Sequence, residues 1–198
     1  DMDAAVKYLR EKGIAKAAAK ADRDAKEGVI RAAVAPCGCS GIILELNCET
    51  DFCAKGDKFQ GLVNDVANAL MDSKASTLEE ALQVPMAEGS TEEYIKAMCS
   101  SIGENMALRK FARLTADGIG AVVSYIHMGG KVGVLIEAEG EMGENAAEVI
   151  HDCALQIAAA SPVAPEYVRR EEVRADHLEH EMEILIAQAR NEGLSLIH

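Results

Sequence analysis

The segment Asn47–Lys55 brings together side chains that could act on a partner molecule. A carboxylate, Asp51, comes directly before an aromatic residue, Phe52, where a strand-like run meets a helical pattern. Phenylalanine is scarce in this chain, which has three among 198 residues and has no tryptophan. An aromatic side chain at such a junction can pack in the core, or it can project into a pocket of another protein.

The elements that position this segment are predicted from the spacing of apolar residues. Strands are expected over residues 29–35 and 42–49, and a turn-rich stretch separates them. In the second run apolar and polar side chains alternate, which is typical of a half-buried strand. Apolar residues at helical spacing over 59–71 predict the helix that follows.

Further helices and a second pair of strands are predicted downstream. Two capping-box patterns, each a Ser or Thr with Glu three residues later, predict helices near residues 78–84 and 91–101. The stretch 101–114 is expected to continue with helical character. Strands are expected over 121–127 and 131–139. An Ala-rich buried helix is predicted over residues 145–160 and stops at Ser161-Pro162.

The two strand pairs resemble each other in sequence. Residues 41–49 match residues 133–141 in kind at most positions, and a helical pattern follows each run. This predicts an internal duplication of a hairpin-plus-helix unit. Thr50-Asp51-Phe52 has no counterpart at 142–144, which read Met-Gly-Glu. A purely structural junction would recur in both halves, so the difference favours a functional role for Asp51 and Phe52.

The two ends of the chain are rich in charged residues. Residues 3–12 predict a helix, and residues 14–26 predict an exposed helix or linker. Residues 170–192 form a highly charged helical pattern with a narrow apolar seam. Such a seam suits a helical hairpin or a short coiled coil.

Composition limits the classes of function. An apolar content of 49% supports a hydrophobic core, and a net charge of −13 opposes direct binding of nucleic acid. No apolar run approaches the roughly 18 residues of a membrane span, so no membrane association is expected. Neither a starting Met nor a secretory signal precedes Asp1. We therefore expect a fragment or processed chain, with its six cysteines as buried free thiols in a reducing compartment.

Patterns for catalysis or cofactor binding are lacking in the sequence. No phosphate-binding loop occurs, and Gly118-Ile119-Gly120 lacks the third glycine of a dinucleotide fingerprint. Cys37 and Cys39 are too close for the usual zinc spacing and favour turn cysteines over a metal or redox pair. His177 and His180 lie one helical turn apart, where a solvated helix face is favoured over a shared metal. We expect no covalent catalysis, metal or cofactor.

Several segments resemble one protein family in the same order along almost the whole chain. The Thr-Asp-Phe segment, Ser101-Ile-Gly-Glu-Asn105, Ser124-Tyr-Ile-His-Met-Gly129 and Ala158-Ala-Ala-Ser-Pro162 are similar to motifs of the translation elongation factor Ts family. The order of the motifs is more specific than any one of them. The chain is identified as a member of this family that lacks most of the N-terminal domain and the C-terminal part.

The resemblance implies an α+β fold. It consists of two related subdomains of small antiparallel sheets packed with helices, followed by the first helix of a coiled-coil hairpin. The expected divisions are 1–26 (end of the N-terminal domain and linker), 27–118 (first subdomain), 119–168 (incomplete second subdomain) and 169–198 (truncated coiled-coil helix).

The resemblance also implies a function. Members of the family are guanine-nucleotide exchange factors that promote release of GDP from the GTPase elongation factor Tu by protein–protein binding. The expected location is the bacterial cytoplasm or an organellar matrix, and a homodimer is compatible with the sequence. A second interpretation is a non-catalytic scaffold or oligomerisation fragment with the same fold.

Motif matches assign the partner-binding residues that the resemblance implies. They are Thr50, Asp51, Phe52, Cys53, Ile102, Gly103 and His127. Each has a purely structural alternative. Phe52 can be a core aromatic, Asp51 a helix N-cap, His127 an ordinary strand histidine, and Ile102 and Gly103 helix-packing residues. Cys53 stands where the family usually has valine.

Overall fold

The computed structural model describes residues 8, 23–87, 89–141, 143–160 and 165–192. The chain divides into two compact units, Asp1–Ser161 and Pro162–His198. Most of the stretch predicted as a helix and linker at residues 3–26 lies outside the described residues. The strands are β1 (Glu27–Val34), β2 (Ser40–Cys48), β3 (Pro85–Met86), β4 (Gly89–Ser90), β5 (Met106–Thr115), β6 (Gly120–His127) and β7 (Val132–Glu139). The α-helices are α1 (Asp51–Lys55), α2 (Asp57–Asp72), α3 (Leu78–Gln83), α4 (Thr91–Ile102), α5 (Ala146–Ala159) and α6 (Ala175–Asn191).

The first unit is built on a three-stranded antiparallel sheet in the order β1-β2-β5. Strand β2 is central, with Gly41 paired to Val34 of β1 and Ser40 paired to Thr115 of β5. One face of β2 is buried beneath the helices. The side chains of this core include Ile42, Leu44, Leu46, Phe59, Leu62, Val66, Leu70 and Ile95. Both predicted capping boxes are present, at the starts of α3 and α4.

Strand β5 corrects the prediction that residues 101–114 continue as a helix. Helix α4 ends at Gly103, which has the left-handed φ of 98°. Beyond it, Met106 and Leu108 are buried while Ala107 and Arg109 are exposed, which is the alternation of a strand. Pairing with β2 and burial of alternate side chains override the helix-favouring residue types in this stretch.

A second hairpin, β6–β7, forms a separate two-stranded antiparallel sheet on which α5 packs through Ala154 and Ala158. The two hairpins are joined by backbone hydrogen bonds. The Ile30 N–H donates to the Gly130 carbonyl at 2.7 Å, and the Val122 N–H donates to the Gly38 carbonyl at 2.7 Å. The predicted α+β fold of small antiparallel sheets packed with helices is confirmed.

Gly41 and Gly133, which align in the two matched sequence runs, lie where the hairpins touch. A Cβ atom added to Gly133 would lie 2.4 Å from Ile30 Cγ2, and one added to Gly41 would lie 2.8 Å from Val122 Cγ1. Each glycine therefore lets the other hairpin approach closely. The sequence match thus coincides with a reciprocal packing contact.

Gly133→Ala is expected to lower the free energy of unfolding by about 1 to 3 kcal/mol, because the added methyl group overpacks this contact. Gly61→Ala is the matched control. Gly61 lies within α2, where nothing lies within 4 Å of an added Cβ, so alanine should raise the free energy of unfolding by about 0.5 to 1 kcal/mol. Urea unfolding of both variants tests this, and equal stability of Gly133→Ala and the parent chain would contradict the packing argument.

The described residues of the second unit, 165–192, include a 3₁₀ turn, Arg170–Glu172, and helix α6. The helix begins at Ala175, later than the predicted start at 170, because the Glu172 carboxylate accepts the backbone N–H groups of Val168 and Arg169 and closes a separate turn. The apolar seam of α6, including Leu178, Met182 and Leu185, is exposed. Within the described part of the chain, no helix has the length and apolar character to cross a membrane.

The cysteines depart in part from the expectation of buried free thiols. Cys37 and Cys39 form a disulfide in the turn between β1 and β2, where their Cα atoms lie 5.3 Å apart, inside the usual range for such a bond. The tight turn provides this proximity, which the sequence spacing did not reveal. Cys153 is free but exposed, whereas Cys48, Cys53 and Cys99 are free and buried as expected.

Candidate functional site

The junction between β2 and α1 is held by Thr50. Its backbone is extended, with φ −126°, and its Oγ1 accepts the Cys53 N–H at 3.1 Å, so Thr50 is the N-cap of α1. Asp51 is the first residue inside the helix. The alternative role of Asp51 as the N-cap is therefore wrong, and its carboxylate is directed to other contacts.

Glu104 ties this junction to the loop after α4. Its Oε2 accepts the backbone N–H groups of Glu49 at 3.1 Å and Thr50 at 3.0 Å, and its Oε1 accepts the Thr50 hydroxyl at 2.7 Å. In return, Glu49 Oε1 accepts the Asn105 N–H at 2.6 Å. These reciprocal bonds satisfy backbone donors that would otherwise be left unpaired where the strand ends.

Ile102 and Gly103 place Glu104 for this role. The left-handed conformation of Gly103 ends α4, and its N–H donates to the Cys99 carbonyl at 3.0 Å. Ile102 is half-buried and packs against the core. Glu104, which directly follows Gly103, thus connects the predicted pair Ile102–Gly103 to Thr50 of the predicted Thr50–Cys53 segment. Sequence reasoning missed the residue that joins them, although Glu104 stands within the Ser-Ile-Gly-Glu-Asn segment.

Phe52 projects from α1 into solvent. The buried residues of this short helix are Cys53 and Ala54, and the Phe52 side chain on the other side is 87% exposed. The core-aromatic alternative is therefore wrong. The ring is thus available for contact with another protein.

Asp51 carries a fixed negative charge beside Phe52. The Lys55 ammonium lies 2.9 Å from its Oδ2, one helical turn away. The hydrogen bond and charge of Lys55 lower the pKa of Asp51, and the charge of Lys131 adds a smaller effect in the same direction. The carboxylate therefore remains ionised well below neutral pH.

His127 lies at the exposed end of β6. Its Nδ1 is hydrogen-bonded to the Tyr125 hydroxyl at 2.9 Å, and the two rings stack with centroids 5.8 Å apart. Among the described residues no hydrogen bond or ion pair joins His127 to the Thr50–Cys53 segment. The adjoining turn is anchored on β1 by the Lys131–Glu27 ion pair at 2.6 Å, and Met128 in that turn is exposed.

Two thiols lie beneath the junction. Cys48 ends β2 and donates to the Thr50 carbonyl at 3.2 Å, and Cys53 is in the first turn of α1. Their sulfur atoms and a carboxylate oxygen of Glu104 all lie within 4.8 Å of one another. Burial raises the pKa of both thiols, and the nearby Cys48 and Glu104 charges help to raise that of Cys53 to about 12.

A family model described as elongation factor Ts matches residues 49–195. The chain belongs to the elongation factor Ts family. Elongation factor Ts of Trichlorobacter lovleyi is 45% identical to it over 202 aligned positions, which cover 98% of this chain. The chain spans 63% of the length of that relative. All seven predicted site residues fall within the stretch that matches the elongation factor Ts family.

Proposed function

We propose that this chain promotes release of GDP from elongation factor Tu by binding the GTPase, without covalent chemistry. The observation that carries the proposal is the exposed Phe52, held on a short helix whose base is anchored by Glu104. Membership of the elongation factor Ts family supports it. The proposed location is the bacterial cytoplasm or an organellar matrix.

The mechanism follows from thermodynamic linkage. A protein that binds the nucleotide-free GTPase more tightly than the GDP-bound form must weaken GDP binding by the same factor. Complete burial of one phenylalanine side chain is worth about 1.5 to 3 kcal/mol. Since each 1.4 kcal/mol corresponds to about tenfold in affinity, Phe52 can account for about 10- to 100-fold of the effect.

Each site residue has a proposed role. Phe52 enters the GTPase and displaces side chains near its Mg²⁺ and phosphate site, and Asp51 fixes the direction of entry. His127 with the adjoining turn supplies a second contact. The remaining site residues hold the others in place and do not contact the partner themselves. Cys53 is only 7% exposed, and the Thr50 hydroxyl is occupied as the N-cap. Ile102 and Gly103 place Glu104.

Release of a fluorescent GDP analogue from elongation factor Tu tests the proposal. The release rate is measured with and without the chain, over a range of chain concentrations. We expect acceleration that saturates as the complex forms. An unchanged release rate, with a chain shown by circular dichroism to be folded, would overturn the proposal.

A second candidate is a scaffold or oligomerisation module of the same fold. The exposed apolar seam of α6 favours it, because such a seam is typical of a helix that pairs with another. Stable binding to elongation factor Tu without faster GDP release, or a homodimer through α6 in sedimentation experiments, would support this function. The net charge of −13 argues against nucleic acid as the direct partner.

A further inference from the structure

We propose that Cys48, Cys53 and Glu104 form a binding site for a soft divalent cation of the Zn²⁺ class. Two thiolate sulfurs and one carboxylate oxygen would coordinate the cation, and a water molecule would complete a tetrahedron. This site is additional to the proposed exchange function and does not depend on it. Thiolate and carboxylate donors are among the usual ligands of Zn²⁺ in proteins.

The distances between the donor atoms suit a small cation. The three donor atoms all lie within 4.8 Å of one another. Zn²⁺ binds sulfur at about 2.3 Å and carboxylate oxygen at about 2.0 to 2.2 Å, which places donors of one tetrahedron roughly 3.5 to 3.8 Å apart. Side-chain movements of about 1 Å would therefore bring the three donor atoms to the spacing of a zinc tetrahedron. Among the residues that the structure describes, this is the one place where three such side chains lie so close.

The fold and its hydrogen bonds already hold the three ligand residues in position. Cys48 is fully buried at the end of β2, and Cys53 is held in the capped first turn of α1. The Glu104 carboxylate is oriented by the N–H groups of Glu49 and Thr50 and by the Thr50 hydroxyl. A carboxylate has about four lone-pair positions; the Cys53 thiol is also hydrogen-bonded to this carboxylate, and a cation would replace that thiol proton. Hydrogen bonds of this kind orient ligands in metal sites.

Binding of a divalent cation leaves the net charge of this cluster at −1, the charge that Glu104 alone gives it without metal. Two thiolates and a carboxylate in a buried cluster repel one another, and at neutral pH both thiols keep their protons. When a divalent cation binds, each thiol gives its proton to solvent and both sulfur lone pairs go to the metal. The ligand set then carries three negative charges against two positive ones, which leaves the cluster with a single net negative charge.

Cys53 supplies the matched variant for a test. Valine, which the family usually has at this position, is apolar and of similar size, so Cys53→Val removes one ligand and preserves the packing. Cys99→Ala removes a buried thiol outside the cluster. The double variant Cys37→Ser/Cys39→Ser is also needed, because reduction of the disulfide frees two further thiols.

The experiment is titration of the reduced full chain with Co²⁺, a spectroscopic substitute for Zn²⁺. We expect one Co²⁺ per chain, with visible bands of tetrahedral cobalt and a thiolate-to-cobalt charge-transfer band, both removed by added Zn²⁺. Both control variants should retain these bands. Cys53→Val should lose the charge-transfer intensity and bind at least tenfold more weakly, while circular dichroism without metal shows an unchanged fold.

Three results would overturn the proposal. One is the absence of tetrahedral cobalt bands in the parent chain. Another is retention of the full bands in Cys53→Val, and the third is their loss in Cys37→Ser/Cys39→Ser. None of these readouts involves elongation factor Tu, so failure of the metal site and failure of the exchange function are distinguishable.

Discussion

Phe52→Ala is expected to reduce the acceleration of GDP release from elongation factor Tu about 10- to 100-fold and to leave the fold of the chain intact. The side chain is 87% exposed, so its removal takes little from the core. The loss arises in the complex, where burial of the ring is worth about 1.5 to 3 kcal/mol. The measurement is the release rate of a fluorescent GDP analogue at saturating concentrations of each variant, with unfolding in urea recorded in parallel.

Two further variants distinguish the loss of the Phe52 contact from the loss of any exposed apolar side chain and from a loss of stability. Ile119→Ala removes an exposed apolar side chain next to Gly120, at the opposite end of β6 from His127, and should leave GDP release unchanged. Phe59→Ala removes a ring that is 1% exposed and should cost about 3 to 5 kcal/mol of stability. Release at the parent rate with Phe52→Ala would show that the ring does not enter the GTPase.

Glu104→Ala is expected to lower the free energy of unfolding by about 2 kcal/mol and to slow GDP release about tenfold. The carboxylate accepts three hydrogen bonds from Glu49 and Thr50, and two of the donors are backbone N–H groups. Hydrogen bonds to charged groups contribute about 1.5 to 3 kcal/mol each when buried, and partial exposure of Glu104 reduces that value. Without this anchor the base of α1 loosens, and Phe52 is directed less accurately.

Glu80→Ala is the matched control for this substitution. The Glu80 carboxylate also accepts three bonds, from the Ser76 N–H, the Ser76 hydroxyl and the Thr77 N–H, but it belongs to the cap of α3. It should lower stability by weakening this helix cap and leave GDP release unchanged while the chain is folded. Both variants are compared with a metal chelator present. Equal release rates for Glu104→Ala and Glu80→Ala would contradict a positioning role for Glu104.

Local patterns in the sequence were enough to predict much of the fold. The alternating run before Cys48 and the two capping boxes are signals contained within a few residues, and the structure has the strand and both helices. Strand β5 was predicted wrongly because its signal is not local. Its residue types favour a helix, and only pairing with β2, in which Ser40 meets Thr115, makes the strand the better solution.

The candidate site shows the same division between local and distant signals. The lack of a counterpart to Phe52 in the second half favoured a functional role over a structural one, and its side chain is exposed as that role requires. Glu104 was missed because its partners are mostly backbone N–H groups, which no side-chain pattern reveals. The Cys48–Cys53 pair was missed because its proximity depends on the turn that Thr50 caps.

The hydrogen bonds of Glu104 to Thr50 also determine when the surface around Phe52 can form during protein synthesis. The two residues lie 54 positions apart, and ribosomes add about 5 to 20 residues per second. For about 3 to 11 seconds the nascent chain therefore carries Phe52 on a turn that has no anchor. The β1–β2 hairpin, already synthesised, also lacks its third strand during this time, and isolated hairpins are only marginally stable in water. The proposed partner-binding surface is thus completed late, when α4 and β5 have been made.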